Sequence, residues 1–360
     1  MVRVAIIGCG IVGASIAFEL SNYPELKITV FDKQPPAQAS TGAALGVLMG
    51  AISHKTKGRS WQLRETSLQR YETLIPELEA MTGRKIPFNK QGILMLLSQG
   101  EDLSKWGKLQ ATRSAQGWEL EIWDLERVRD RNPHLNLNDN IIGAIYSPRD
   151  RQVDPTALTL ALVDAAKLKG VDFEFGVEVA GIADLDSQMC EIQTTVGKLE
   201  FDWLIIAAGL GSSALTASLN QLVDIRPVLG QALHFRLQNP LRNSDFAPVI
   251  TCDDVHIVPL GDGEYWVGAT VEFSQNGGEV QANAEMLDGV FKKAIALCPA
   301  LATATIIKQW SGLRPRPERR SAPVIDRLGN SNILIASGHY RNGVLLAPAT
   351  ARIIREMIVQ

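Results

Sequence analysis

The residues that first suggest chemistry in this chain are three glycines. Gly8, Gly10 and Gly13, in the run Gly8-Cys9-Gly10-Ile11-Val12-Gly13, fit the spacing G-x-G-x-x-G. At that spacing the first glycine permits a tight turn, and the second lets the backbone approach a pyrophosphate with no Cβ in the way. The third lets a helix pack close to a strand. A helix starting at Ile11 and Val12 would turn its unpaired N–H groups and its dipole towards phosphate. Asp32, followed by Lys33, closes the next apolar run, where a carboxylate accepts hydrogen bonds from ribose hydroxyls. The constellation binds a dinucleotide and suits NAD and FAD equally. Other chemistries find little support. Cys9, Cys190, Cys252 and Cys298 lie far apart without a C-x-x-C, and His54, His134, His234 and His339 fall at no metal-ligand spacing. No metal site and no nucleophile elbow are expected.

Several elements must position these glycines. Val4-Ala5-Ile6-Ile7 reads as a strand buried on both faces of a parallel sheet. Ile11, Val12, Ile16, Ala17 and Leu20 recur at three- and four-residue spacing, which predicts a helix over 11 to 20, closed by Asn22-Tyr23-Pro24. A strand over 27 to 31 completes a βαβ unit. A long helix is expected over 61 to 81, then a β-like, mixed region with Trp106, Trp118 and Trp123 to about 140. Asp154-Pro155 should cap a helix over 156 to 169, ahead of a strand over 171 to 175. Further strands are expected over 201 to 207, 232 to 237, 255 to 259, 265 to 269 and 332 to 336, with helices over 284 to 297 and 344 to 359. The fold class expected is α/β. A Rossmann-like dinucleotide domain is drawn from 1 to 80, 141 to 220 and 306 to 360. A second, α+β substrate domain on an antiparallel sheet takes 81 to 140 and 221 to 305.

Bulk composition is consistent with this. A chain of 360 residues, 46% hydrophobic and 21% charged, suits about two packed domains. With a net charge of -3 and no basic run, a nucleic acid partner is not expected. The apolar stretch 4 to 20 after Arg3 superficially resembles a leader, but glycines interrupt it, and no apolar run is long enough for a membrane span. A reducing, cytoplasmic location is the expectation.

The run 143 to 168 (GAIYSPRDRQVDPTALTLALVDAAKL), IIAAGLGSSAL, RPVLGQ, SGLRP and above all SGHYRNGVLLAPATA resemble the D-amino acid oxidase superfamily, and within it the glycine oxidases of thiamine biosynthesis. The resemblance spans nearly the whole chain. It implies non-covalent FAD, held additionally by the loop with Ser40, Thr41, Ala43, Ala44, Leu45 and Gly46, by Val179 at the adenine, and by Ala208 and Gly209. Gly312, Arg314 and the segment His339, Tyr340, Arg341, Asn342, Gly343, Val344 and Leu345 would complete the cofactor site. A helix beginning near Gly343 would stabilise negative charge on a reduced flavin. Arg314 and Arg341 match the family's arginines for the substrate carboxylate, a role suited to a planar two-point donor. Pro315 steadies the backbone of Arg314.

What the resemblance implies is oxidative deamination of a small amino acid (glycine, sarcosine or a small D-amino acid), with a hydride leaving Cα for flavin N5 and no catalytic base required. Imine or 2-oxo acid, ammonia and, with oxygen as acceptor, hydrogen peroxide would follow. A homo-oligomer is implied. Two departures stand out: His256 lies where glycine oxidases usually carry an aromatic hydroxyl, and Arg316-Pro317-Glu318-Arg319-Arg320 replaces a small polar turn. His256 is a substrate-binding candidate whose charge is sensitive to pH, and the basic cluster reads as a solvated loop. The alternatives are a flavin dehydrogenase passing electrons to a quinone or carrier, an NAD-dependent dehydrogenase and a non-catalytic flavin-binding protein. The returning GHYRNG segment argues against NAD.

Overall fold

The computed structural model describes every residue except 185–188, 218, 220, 239–240, 242–244, 275–278 and 360. Val2–Ile7 forms the first strand, and its alternate side chains are buried on both faces because the sheet is covered on both sides. It pairs in parallel with Leu26–Asp32 on one side and Trp203–Ile206 on the other. Asp172–Phe175 and Ile333–Ser337 extend the parallel sheet outwards, and Val324–Arg327 closes it as an antiparallel edge. Helix Ile11–Leu20 is apolar around most of its circumference because it is packed between this sheet and helices Pro155–Leu168 and Gly343–Ile358.

The second large sheet has eight strands, antiparallel throughout except where Val249–Cys252 runs parallel to Ile93–Ser98. Its strands Ile141–Ser147 and Thr305–Pro317 come from stretches expected in the dinucleotide domain, 141 to 220 and 306 to 360. The pairing explains this: 225–236 and 305–317 form one long antiparallel ladder, which a residue-by-residue pattern does not reveal.

Helices expected over 11 to 20 and 284 to 297 are found at those bounds, and Asp154 caps Pro155–Leu168 by accepting from Thr156 N and Ala157 N. Two expectations are corrected. The apolar run 201 to 207 divides at Asp202, with Gly197–Phe201 in a small three-stranded sheet and Trp203–Ile206 in the parallel one. Region 81 to 140 contains helices Leu103–Ala115 and Leu125–Arg131. The first was hidden because Trp106, Leu109 and Arg113 form its buried face, and a charged residue at a core position breaks the apolar periodicity.

One buried hydrogen bond ties the long helix Gly58–Thr82 to the last helix. Pro348 lies inside Gly343–Ile358 and has no N–H for the carbonyl four residues back, which is that of Val344. Tyr71 OH donates to that carbonyl at 2.5 Å, and its burial raises the phenol pKa. Tyr71→Phe should therefore cost about 1–3 kcal/mol by orphaning the Val344 carbonyl. Urea unfolding would read this as a lower midpoint at unchanged slope.

Candidate active site

Four neighbouring parallel strands, Leu26–Asp32, Val2–Ile7, Trp203–Ile206 and Ile333–Ser337, end at one edge of the sheet. Adjacent strands lie about 4.8 Å apart, so the segments that follow them are brought together although they are far apart in sequence. These segments are Gly8 to Gly13, Asp32 with Lys33, Ala208 with Gly209, and the run from Gly338 to Gly343. Val179 and Ala208 pack against the same cluster as Ile7 and Phe31, on the side of the edge where the adenine half is expected.

The glycines fit the requirement of close approach. A Cβ on Gly13 would lie 1.9 Å from the Gly8 carbonyl oxygen, and one on Gly8, at φ 104°, would lie 2.5 Å from that of Ala207. Gly10 is the N-cap of its helix and has no side chain to cap it. Ile11 N donates to Thr41 Oγ1 at 3.0 Å, which fixes the cofactor loop against the helix start while Val12 stays half-buried. Asp32 Oδ2 accepts from Cys9 N at 2.6 Å, and Oδ1 accepts from Gln34 N, so the carboxylate is aimed beside the glycine turn. Lys33 points to solvent and pairs with Glu178. A dinucleotide therefore fits this edge, with its phosphates at the helix start.

The loop from Ser40 onwards passes between the two sheets. Ser40 Oγ donates to Leu313 O, Trp310 Nε1 donates to Ala43 O, and Gly312 has no room for a Cβ, which would lie 2.2 Å from that of Ala43. Gln152 Nε2 donates to Leu45 O, and Gly46, at φ 70°, lies against Val153 O. Ala44 packs on the main core. Beyond this point two buried charges grip the chain from opposite sides. Asp150 accepts from Gly50 N, Ala51 N and Ile52 N at 2.8–2.9 Å, while Arg113 donates to the carbonyls of Ala51, Ser53 and Lys55 at 2.7–3.0 Å. Burial raises the Asp150 pKa against the effect of those three N–H groups, and burial lowers that of Arg113 to about 10, still cationic at neutral pH.

Arg314, Arg341 and His256, the substrate-binding candidates, are brought together from three elements. Arg314 lies across Gly230, where a Cβ would meet its Nη2 at 2.2 Å, and its Nη1 donates to Leu229 O and Thr270 O. Those two bonds fix the guanidinium. Arg341 follows Tyr340, which takes a left-handed φ of 54°, and its Nη1 lies 2.9 Å from Asp254 Oδ1. The His256 pKa is pushed down to about 4, first by burial and then by Arg341 and Arg314, so the imidazole is neutral at ordinary pH. One row of cross-strand partners, Met95, Thr251, His256, Gly268, Ala232 and Trp310, crosses the sheet here. Cross-strand partners share a face. Trp310 and Gly268 show that this face looks towards the loop holding Ala43 and Leu45.

The side chains of several remaining candidates are turned into the core. His339 is buried and its Nε2 lies 3.0 Å from Thr350 Oγ1, so its imidazole braces the last helix instead of lining the site. Val344 and Leu345 turn their side chains into the core, and Asn342 is the N-cap of the last helix without a side-chain hydrogen bond. Sequence reasoning missed Asp254, Glu272 and the Asp150–Arg113 grip. Gln231 Nε2 donates to Glu272 Oε1 at 2.9 Å and Asn283 N to its Oε2 at 2.7 Å, which holds this buried carboxylate near Arg314. The Gly-Gln of RPVLGQ was the available signal, since Gly230 makes room for Arg314 and Gln231 holds Glu272.

Comparison with known proteins gives the family of the chain. The family model described as DAO, FAD dependent oxidoreductase, matches residues 3–357. The chain is 32% identical to the bifunctional protein ThiO/ThiG of Synechocystis sp. over 99% of its own length and 51% of that protein's, so it spans about half the length of such relatives. It is 28% identical to a glycine oxidase of Bacillus licheniformis, over 98% of this chain and 92% of that one. The solved glycine oxidase of Geobacillus kaustophilus has a TM-score of 0.88 to it at 26% identity, covering 99% of this chain and 94% of that one.

Two outcomes follow. Gly8→Ala should purify without flavin absorbance, because the left-handed φ and the Ala207 carbonyl both reject a methyl group. His256 and His339 both fall from 6.5 to about 4 on folding, so between those values the unfolded chain binds more protons and stability falls as pH drops. Each contributes at most about 1.4 kcal/mol per pH unit. In urea unfolding at pH 5 and pH 7, His339→Asn should reduce that pH dependence.

Proposed function

Because the chain belongs to the DAO family of FAD-dependent oxidoreductases, we propose that it holds FAD non-covalently along the glycine-turn edge and oxidises the C–N bond of a small amino acid, glycine foremost. The observation that carries the substrate half of this reading is the meeting of Arg314, Arg341 and a neutral His256 on the sheet face that looks towards the cofactor loop. When bound, FAD supplies the two-electron oxidising power that no side chain here possesses.

The chain's own residues bind and orient. Arg314 offers the substrate carboxylate a guanidinium already fixed by two carbonyls. Arg341 offers a second fork from the segment that begins the last helix, so the carboxylate is held from two sides. His256 adds a hydrogen bond without adding charge, because it stays neutral above about pH 4. Gly268 and Ala232 lie beside His256 in the row, and a Cβ on Gly268 would come within 3.3 Å of Leu45 Cδ1. Small residues beside His256 favour a substrate with little or no side chain. Oxygen is the proposed acceptor, with hydrogen peroxide, ammonia and a 2-oxo acid as final products.

The test is spectroscopic. Added anaerobically, glycine, sarcosine, D-alanine or D-proline should bleach the flavin band near roughly 450 nm, with glycine among the fastest. A yellow protein that none of them bleaches would sink the small-amino-acid assignment. Arg314→Met should raise KM for the bleaching substrate roughly 10–100-fold, the value of about 1.5–3 kcal/mol for a hydrogen bond to a charged group.

A further inference from the structure

Arg341 already has a carboxylate partner within the chain. Asp254 stands at the tip of the hairpin joining Val249–Cys252 to Val255–Gly261, next to Asp253, whose φ is 51°. Its own carbonyl accepts from Ala269 N at 3.3 Å, so the tip is anchored to the strand that ends beside it. The side chain is 64% exposed and places Oδ1 2.9 Å from Arg341 Nη1. Asp254 also acts electrostatically on His256 and on Arg314. Glu272 is the second carboxylate near Arg314, buried and tied to Gln231 and to Asn283 N. Two guanidiniums therefore face two carboxylates, and His256 between them is neutral.

We propose that Asp254 is a specificity-determining residue: by pairing with Arg341 it keeps the site close to electroneutral, and so selects amino acid zwitterions over simple carboxylates of the same size. The proposal rests on the reading of Arg341 as a ligand of the substrate carboxylate. A plain carboxylate must break the Asp254 pair and adds a negative charge beside the released Asp254. A zwitterion breaks the same pair but brings an ammonium that Asp254 attracts. Exposed ion pairs contribute about 0.2–1 kcal/mol, so removing the charge of Asp254 should change anion affinity by roughly 1.5- to 5-fold.

The experiment uses FAD-loaded protein, wild type and Asp254→Asn, with acetate as the probe. Acetate is titrated against the flavin absorbance and, in parallel, as a competitor of glycine oxidation. In the variant the Kd for acetate should fall roughly 1.5- to 5-fold while KM for glycine stays level or rises. The gain should shrink in high salt, because exposed charges are screened. Acetate binding that is unchanged or weakened in Asp254→Asn would overturn the proposal and make Asp254 a mere anchor for Arg341. Arg341→Met separates the two readings. If it loses acetate affinity while Asp254→Asn gains none, the carboxylate role of Arg341 stands and only the Asp254 proposal falls. If Arg341→Met binds acetate as wild type does, the carboxylate role itself fails and the proposal falls with it.

Discussion

The grip of Asp150 and Arg113 on the segment 50 to 55 is the constraint on which the arrangement of both halves depends. A carboxylate takes three successive N–H groups of this segment, and a guanidinium takes three of its carbonyls. Both side chains are fully buried, and burying a charge is costly unless its hydrogen bonds are made. Here they are made by backbone that has no sheet or helix to satisfy it, so the cost of charge burial and the cost of orphaned peptide groups cancel against each other. The Arg113 guanidinium also lies over the Trp61 ring, 3.6 Å from its centroid, which joins the clamp to the long helix.

Upstream of that grip the chain has little freedom. Strand Arg151–Val153 follows Asp150 directly and pairs with Val47–Leu48, and Gln152 reaches Leu45. The loop from Thr41 to Leu48 is thus fixed at one end by the helix start at Ile11 and at the other by the buried charges. Between these anchors it meets Trp310, Gly312 and Gly268 of the antiparallel sheet. The dinucleotide edge and the candidate substrate floor therefore hold a fixed relation to each other. The contact is close because Gly312 and Gly268 of the antiparallel sheet omit side chains where the loop passes.

The charge pattern follows the same division. The dinucleotide edge presents backbone to the place where phosphate is proposed, through a helix start and a glycine turn. The opposite face uses side-chain cations, and each has a carboxylate within reach, Asp254 beside Arg341 and Glu272 near Arg314. His256, flanked by both arginines, stays neutral because burial and two positive neighbours act in the same direction.

Much of the α/β half was legible in the sequence, because its signals are local. The three glycines, Asp32, the cap at Asp154 and the apolar periodicity of 11 to 20 each depend on residues within one or two turns of each other. Arg314, Arg341 and His256 could be nominated individually from the family resemblance, but their meeting could not be read from spacing. Where local patterns failed, a distant contact had overridden them. Arg113 disguised a helix because its partners lie about 60 residues upstream, and the run 201 to 207 was divided by two different sheets. Asp254 and Arg341 are 87 positions apart, and only the ending of strands from both sheets at one place makes them a pair. The sequence by itself determined which segments could hold a dinucleotide, since turn and capping chemistry are properties of short stretches of chain. Tertiary structure decided which charges face one another, because electrostatic interaction depends on distance in space and the pleated sheets set that distance.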